Sequence, residues 1–145
     1  MRQYAERIRT VIVDDHPVFR AGLRASLEPD PDIVVVGEAG TADAALALIR
    51  TSEPDVVLLD LHLPGATGPS TTSRICAESP ETAVLILTMS EEDADIVAAV
   101  RAGARGYLLK SIERHALLHA IHLAAYGGSV FSAEVTARLA RVLAG

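Results

Sequence analysis

The sequence predicts an α/β domain: a doubly wound, five-stranded parallel sheet in the order 2-1-3-4-5, with helices on both faces. Three observations predict the parallel, two-faced sheet; the order is a known doubly wound one in which strands one and three are neighbours. Short apolar runs alternate five times with stretches of helical spacing, as in parallel strands joined by right-handed crossovers. One run, Val56-Val57-Leu58-Leu59, is apolar without a break, as a strand covered on both faces must be. Asp60 follows it directly, and Pro64-Gly65 signals a turn, so the carboxylate falls at the carboxyl edge of the sheet.

The first strand is expected over Ile8 to Val13, β-branched and stopped by Asp14-Asp15. A helix follows from Val18 to Leu27. Pro17 suits its first turn, and Val18, Phe19, Gly22, Leu23 and Leu27 can share one face. Pro29 and Pro31 end it. Ile33 to Val36 is the second strand. Thr41 is the expected N-cap of a helix from Ala42 to Arg50, and Pro54 bars its extension. Val56 to Asp60 is the third strand, and a weaker helix rich in Ser and Thr runs from Pro69 to Glu78. Ala83 to Thr88 is the fourth strand. Ser90 to Asp93 gives the next helix an acidic first turn, and Gly103 stops it. Gly106 to Leu109 is the fifth strand, ending at Lys110, and Ile112 to Tyr126 the fifth helix. This (βα)5 arrangement is flavodoxin-like and fills residues 8–126. Residues 127–145 read as a linker or a short extra helix from Ala133 to Leu143, with Ser132 as its N-cap. There is no internal repeat and no low-complexity segment.

The bulk numbers narrow the function. A chain of 145 residues, half of them apolar, holds one domain with a proper core. The net charge of −6 and an aromatic content of 3% disfavour broad nucleic-acid contact and base stacking. No apolar run approaches a membrane span, and residues 1–10 carry no leader-like apolar segment. A single cysteine, Cys76, allows no internal disulfide, and a cytoplasmic location is expected. Of 13 basic residues only one is a lysine, Lys110.

Parallel strands point their carboxyl ends to one side. Asp14 and Asp15 after strand one, Asp60 after three, Thr88 on four and Lys110 after five therefore share a rim, with the aspartates at the switch point between strands one and three. Taken singly, each residue has an ordinary reading as a helix cap, a surface charge or a strand residue. Together they make a strained crevice. Two carboxylates at about 4 Å repel by roughly 4 kcal/mol at an effective dielectric near 20, so a pKa rises or a cation enters. Hard oxygen ligands suit Mg²⁺, which would let an anionic phosphoryl group approach. Lys110 offers a point charge and Thr88 a hydroxyl to its oxygens, and Asp60 is the candidate nucleophile for an aspartyl-phosphate.

At Val11-Ile12-Val13-Asp14-Asp15-His16-Pro17, Leu58-Leu59-Asp60-Leu61-His62-Leu63-Pro64-Gly65, Leu87-Thr88-Met89 and Gly106-Tyr107-Leu108-Leu109-Lys110, the sequence resembles the receiver domain of bacterial two-component response regulators. His16-Pro17-Val18-Phe19-Arg20-Ala21-Gly22-Leu23 is similar to the NarL/FixJ branch, in which a LuxR-type helix-turn-helix usually follows. The resemblance implies that Asp60 accepts a phosphoryl group from the phosphohistidine of a sensor histidine kinase. It implies Mg²⁺ (or Mn²⁺) held by Asp15, Asp60 and the His62 backbone carbonyl, with Asp14 acting through water. Lys110 would pair with the phosphoryl group, and Thr88 and Tyr107 would form the switch pair. Met89 stands where many receivers have a small residue, and Ser111 where a proline often follows the lysine. Such a protein is no classical enzyme; it catalyses its own phosphorylation and dephosphorylation. It would homodimerise on phosphorylation and control transcription through a C-terminal DNA-binding domain, residues 1–145 themselves making no specific DNA contact. The tail from Ser129 to Val135 looks like the start of an interdomain linker, which favours a truncated receiver over a stand-alone one.

The alternative is a receiver acting as a phosphorylation-independent interaction module. A phosphatase of the haloacid dehalogenase type expects a second carboxylate two residues after the nucleophile, where this chain has His62. A flavin or dinucleotide module needs a phosphate-binding loop where this chain has Asp14-Asp15. His115, His119 and His122 can share a helix face; a solvated or dimer-contact face is expected there rather than a metal site, because no carboxylate or cysteine completes the set. Cys76 reads as a small core residue.

Overall fold

The computed structural model describes residues 6–145; the absence of a leader was read partly from residues 1–5, which lie outside it. The elements run β1 (Ile8–Val13), α1 (Pro17–Leu27), β2 (Ile33–Ala39), α2 (Ala42–Ser52), β3 (Val56–Leu59), a two-strand hairpin β4 (His62–Leu63) and β5 (Ala66–Thr67), α3 (Gly68–Glu78), β6 (Ala83–Thr88), α4 (Asp93–Ala102), β7 (Gly106–Leu109), α5 (Arg114–Ala125), β8 (Val130–Phe131) and α6 (Ala133–Ala144). The main sheet has the order β2-β1-β3-β6-β7-β8, every pairing parallel. Its first five strands are those read from the sequence, in the predicted order.

Strand residues alternate between two cores, which is what makes the sheet doubly wound. Val11, Val13, Val57, Leu59, Val84, Ile86 and Tyr107 face α2, α3, α4 and α6. Ile8, Ile12, Leu58, Leu85, Leu87 and Leu108 face α1 and α5. Thr41 caps α2 by accepting from the Ala44 N–H at 3.2 Å, as expected. Val18 does not join the core; it is 86 % exposed. Phe19, Leu23 and Leu27 repeat at four-residue intervals on the inward stripe, and Val18 lies one residue, about 100°, off it. Helix α4 starts at Asp93, later than its acidic residues suggested, because Ser90 to Glu92 form a loop. There the Ser90 hydroxyl donates to Asp95 and accepts from the Glu92 N–H. Gly65, in the turn between β4 and β5, has φ of +74°, which glycine adopts without strain.

The C-terminal segment is an integral layer. Val130 and Phe131 add a sixth strand alongside Gly106 and Tyr107. Ser132 caps α6 by accepting from the Val135 N–H at 3.1 Å. Val135 is buried in the same core as Tyr107, with Phe131 and Leu139 packed against it, and α6 lies along α4. Two residues carry too little pattern to announce a strand; the open edge of β7 imposes it. Gly106 makes the approach possible, since a Cβ there would sit 2.7 Å from the Val130 carbonyl oxygen. Gly106→Ala is expected to cost about 1–3 kcal/mol by overpacking and to detach β8. Amide exchange at Val130, whose N–H donates to the Arg105 carbonyl at 2.7 Å, reads this directly.

Candidate functional site

The carboxyl ends of β1, β3, β6 and β7 deliver the predicted residues to one rim. One ligand atom each from Asp14, Asp15, His16 and Asp60 lies within 4.8 Å of the others. An open cleft of about 640 Å³ is lined by His16, Asp60, His62, Thr88, Ser90 and Lys110 among others, room for a phosphoryl group and a hydrated cation. Asp14 and Asp60 are buried, at 2 % and 6 % exposure, so their charges are poorly solvated.

Lys110 is the counter-charge. Its Nζ lies 2.7 Å from Asp14 Oδ2 and 3.4 Å from Asp60 Oδ2. The lysine side chain is 13 % exposed, which corrects its reading as a possible surface charge. The asymmetry divides the carboxylates. Burial works to raise the Asp14 carboxyl, but bonds from Lys110 and from the His16 backbone and ring outweigh it and hold the pKa below the ordinary value. At Asp60 burial prevails: with the Asp14 charge nearby it raises the pKa, and the more distant Lys110 and the His62 N–H offset only part of the rise. The residue at the end of the central strand therefore carries a less stabilised negative charge than Asp14, as a group that takes up an electrophile should.

His16 enters the sequence reading only as part of the resemblance motifs, with no role at the site. Its Nδ1 stands 3.0 Å from both Asp14 Oδ1 and Asp15 Oδ1. One ring N–H serves one acceptor, and Asp15 Oδ1 is left buried without a hydrogen-bond partner. An orphaned buried carboxylate oxygen beside two more carboxylates fits a hard cation.

Thr88 and Tyr107 meet through Ser90, which sequence reasoning also missed because its role is carried by backbone atoms. Both side chains are buried at 1 % exposure. The Ser90 N–H donates to Thr88 Oγ1 at 3.2 Å, and the Tyr107 hydroxyl donates to the Ser90 carbonyl at 2.8 Å. Tyr107 is thus already turned inward. Burial, aided by Asp95 and Glu92, raises its pKa over the opposing Ser90 bond, so it stays a donor. The next residue on this loop is held from α6: Arg138 donates to the Glu91 backbone carbonyl and pairs with Glu134 at 3.0 Å. Met89 points to solvent at 82 % exposure, and the Lys110–Ser111 peptide bond is trans.

The remaining candidates lie elsewhere. His122 Nε2 is 3.1 Å from Asp30 Oδ2, with Asp32 close by. A carboxylate does reach that histidine, contrary to expectation, because the α1–β2 loop folds against α5; the contact is a hydrogen bond between elements, and His115 and His119 do not join it. Cys76 is half-buried beside Gly103, and burial raises its thiol pKa, as for an inert core thiol. No helix among the described residues is long and apolar enough to cross a membrane.

Comparison with known proteins agrees with this geometry. The response regulator receiver domain family matches residues 10–122. The nitrate/nitrite response regulator NarL of Escherichia coli K12 is 38% identical over 133 residues, 92% of this chain and 62% of that protein, so the chain spans under two thirds of its relative. A LuxR-family two-component response regulator from Aurantimonas sp. SI85-9A1 superposes with a TM-score of 0.88 at 35% identity, over 97% of this chain and 100% of that one. The isolated receiver of RcsB from Salmonella enterica serovar Typhimurium, determined with the phosphomimetic BeF3−, gives a TM-score of 0.83 at 26% identity over 92% and 99% of the two chains. With the strand order and the acidic rim in place, the chain belongs to the response regulator receiver domain family.

Proposed function

We propose that this chain is the phosphoacceptor receiver of a two-component response regulator. The observation that carries the reading is Asp60: a buried carboxylate at the end of the central strand, raised in pKa, facing a cleft that also presents Lys110 and Thr88. An Asp60 carboxylate oxygen attacks the phosphorus of a phosphohistidine on a sensor kinase; the P–N bond breaks and the imidazole leaves with its electron pair and picks up a proton. Asp14, Asp15, Asp60 and the His62 backbone carbonyl would hold Mg²⁺ (or Mn²⁺), which when bound neutralises phosphoryl oxygens. Lys110 moves from its carboxylates to the acyl phosphate and stabilises its charge. The protein acts as a signalling switch rather than a turnover enzyme.

The Thr88 hydroxyl accepts from Ser90 and keeps its own proton free for a phosphoryl oxygen. Phosphorylation would therefore tighten Thr88, and with it the Ser90 carbonyl that anchors Tyr107. Tyr107 is held inward in that state and freer to leave without it, so the α4–β7–α5 surface changes for a partner or a second copy. In NarL-like proteins the output is transcriptional; here it would run through a DNA-binding domain following α6, in the cytoplasm.

Loading with beryllofluoride and Mg²⁺ tests the reading by NMR. Wild type is expected to shift around Asp60 and Lys110 and across Asp95–Val100 and Tyr107–Leu117. Thr88→Ala is expected to bind the analogue and to lose the second set of shifts. A full response in Thr88→Ala removes Thr88 and Tyr107 from the switch, and no shifts at Asp60 in wild type contradict the phosphoacceptor reading.

A further inference from the structure

Lys110 is the only lysine of the chain, and its ammonium is held on three sides. Two are the carboxylates of Asp14 and Asp60. The third is the face of the Phe19 ring, whose centroid lies 4.2 Å from Nζ. Phe19 stands in the first turns of α1 and is half-buried. It borders a small gap under the crevice with Asp14, Asp60 and Leu87, and the groove between α1 and α5 with Lys110 and Ile112. The ring is therefore a wall of the acidic crevice as well as a core residue.

The chemistry of that wall is specific. A cation over an aromatic face is attracted by the negative face of the ring quadrupole. The ring carries no charge and accepts no proton. It holds the ammonium without competing with Asp60 for a cation, and without pulling Lys110 away from an anion arriving at Asp60, as a third carboxylate would. The lysine stem is long and flexible, so a fixed third contact narrows the positions its charge can take. Resting on the phosphoacceptor reading of Asp60, we infer that Phe19 is a positioning residue for the phosphoryl chemistry: its ring face sets the Lys110 ammonium beside Asp60. The competing explanation is that Phe19 only fills space between α1 and α5, a role that leucine would serve.

Phe19→Leu, Phe19→Tyr and Phe19→Trp separate the two. As Lys110 is the sole lysine, its ε-methylene protons can be assigned by NMR and report whether they lie over a ring. Upfield shifts are expected in wild type and in the Tyr and Trp variants, and none in Phe19→Leu. Phosphorylation by acetyl phosphate in Mg²⁺, followed by intact mass, is expected to slow roughly three- to tenfold in Phe19→Leu and to be retained in the aromatic variants. Mg²⁺ affinity, from thermal shift, is expected to be equal in all four proteins. Equal phosphorylation rates in Phe19→Leu and wild type, or unshifted methylene protons in wild type, overturn the inference. So does a fall in Mg²⁺ affinity and melting temperature that parallels the loss of rate, since packing alone then explains it. A wild type that takes no phosphoryl group removes the premise and this role with it, even where the methylene shift shows the lysine on the ring.

Discussion

Asp60→Asn is expected to melt at a higher temperature than the wild type in the absence of divalent metal. The substitution removes a buried charge that burial and Asp14 both oppose, and leaves the closer Lys110–Asp14 pair intact. The gain is on the order of 1 kcal/mol, a few degrees in melting temperature for a domain of this size. Its pH dependence has a fixed sign. Because the folded-state pKa of Asp60 is raised, the fold binds that proton more tightly than the unfolded chain does. The wild type therefore gains stability as pH falls through the raised value toward the ordinary carboxylate pKa. The advantage of Asp60→Asn should be full at neutral pH and vanish below that window. Asp14 behaves oppositely: its lowered pKa contributes stability that is present above the ordinary value and lost as pH falls through the folded one. An advantage that grows on acidification would contradict the placement of charge in the crevice.

Lys110→Ala is expected to have the larger effect on the fold. Removing the ammonium leaves Asp14 and Asp60 buried side by side without their counter-charge. Breaking a fully buried pair costs about 3–5 kcal/mol; with one side open to the cleft, a loss on the order of 2 kcal/mol is expected. Millimolar Mg²⁺ should restore most of it, because a cation replaces the lost charge, while phosphoryl signalling stays impaired. Parallel melts with and without Mg²⁺ check both halves. A variant as stable as wild type without metal would return Lys110 to the status of a surface charge worth at most about 1 kcal/mol.

What the sequence could reveal tracks how many residues carry each signal. Strands such as Val56–Leu59 and Ala83–Thr88 are fully buried, so their composition declares them. Alternation with helices made the sheet parallel, while the order 2-1-3-4-5 was that of the doubly wound fold the sequence resembles, since alternation alone does not fix it. Asp14, Asp15, Asp60, Thr88 and Lys110 were legible because a parallel sheet brings every strand's end to one rim, whatever the loops do. The pair Val130–Phe131 was not, because its pairing depends on the open edge of β7 and the missing Cβ of Gly106. Phe19 read as a core residue because its helical spacing fits that role, and spacing says nothing of which ring face a distant lysine will meet. Ser90 works through its N–H and carbonyl, which every residue but proline has, so no residue type could announce it. The Asp30–His122 pair joins positions far apart in sequence, and only the packing of the α1–β2 loop on α5 brings them together.

The most direct test of the phosphoacceptor reading is intact mass after exposure to acetyl phosphate, for wild type and Asp60→Asn, each with Mg²⁺ and with a chelator. The geometry of the crevice predicts the addition of one phosphoryl group to wild type only, and only with Mg²⁺, with peptide mapping placing it on Asp60. Equal incorporation in Asp60→Asn, or none in Mg²⁺-loaded wild type, would contradict it.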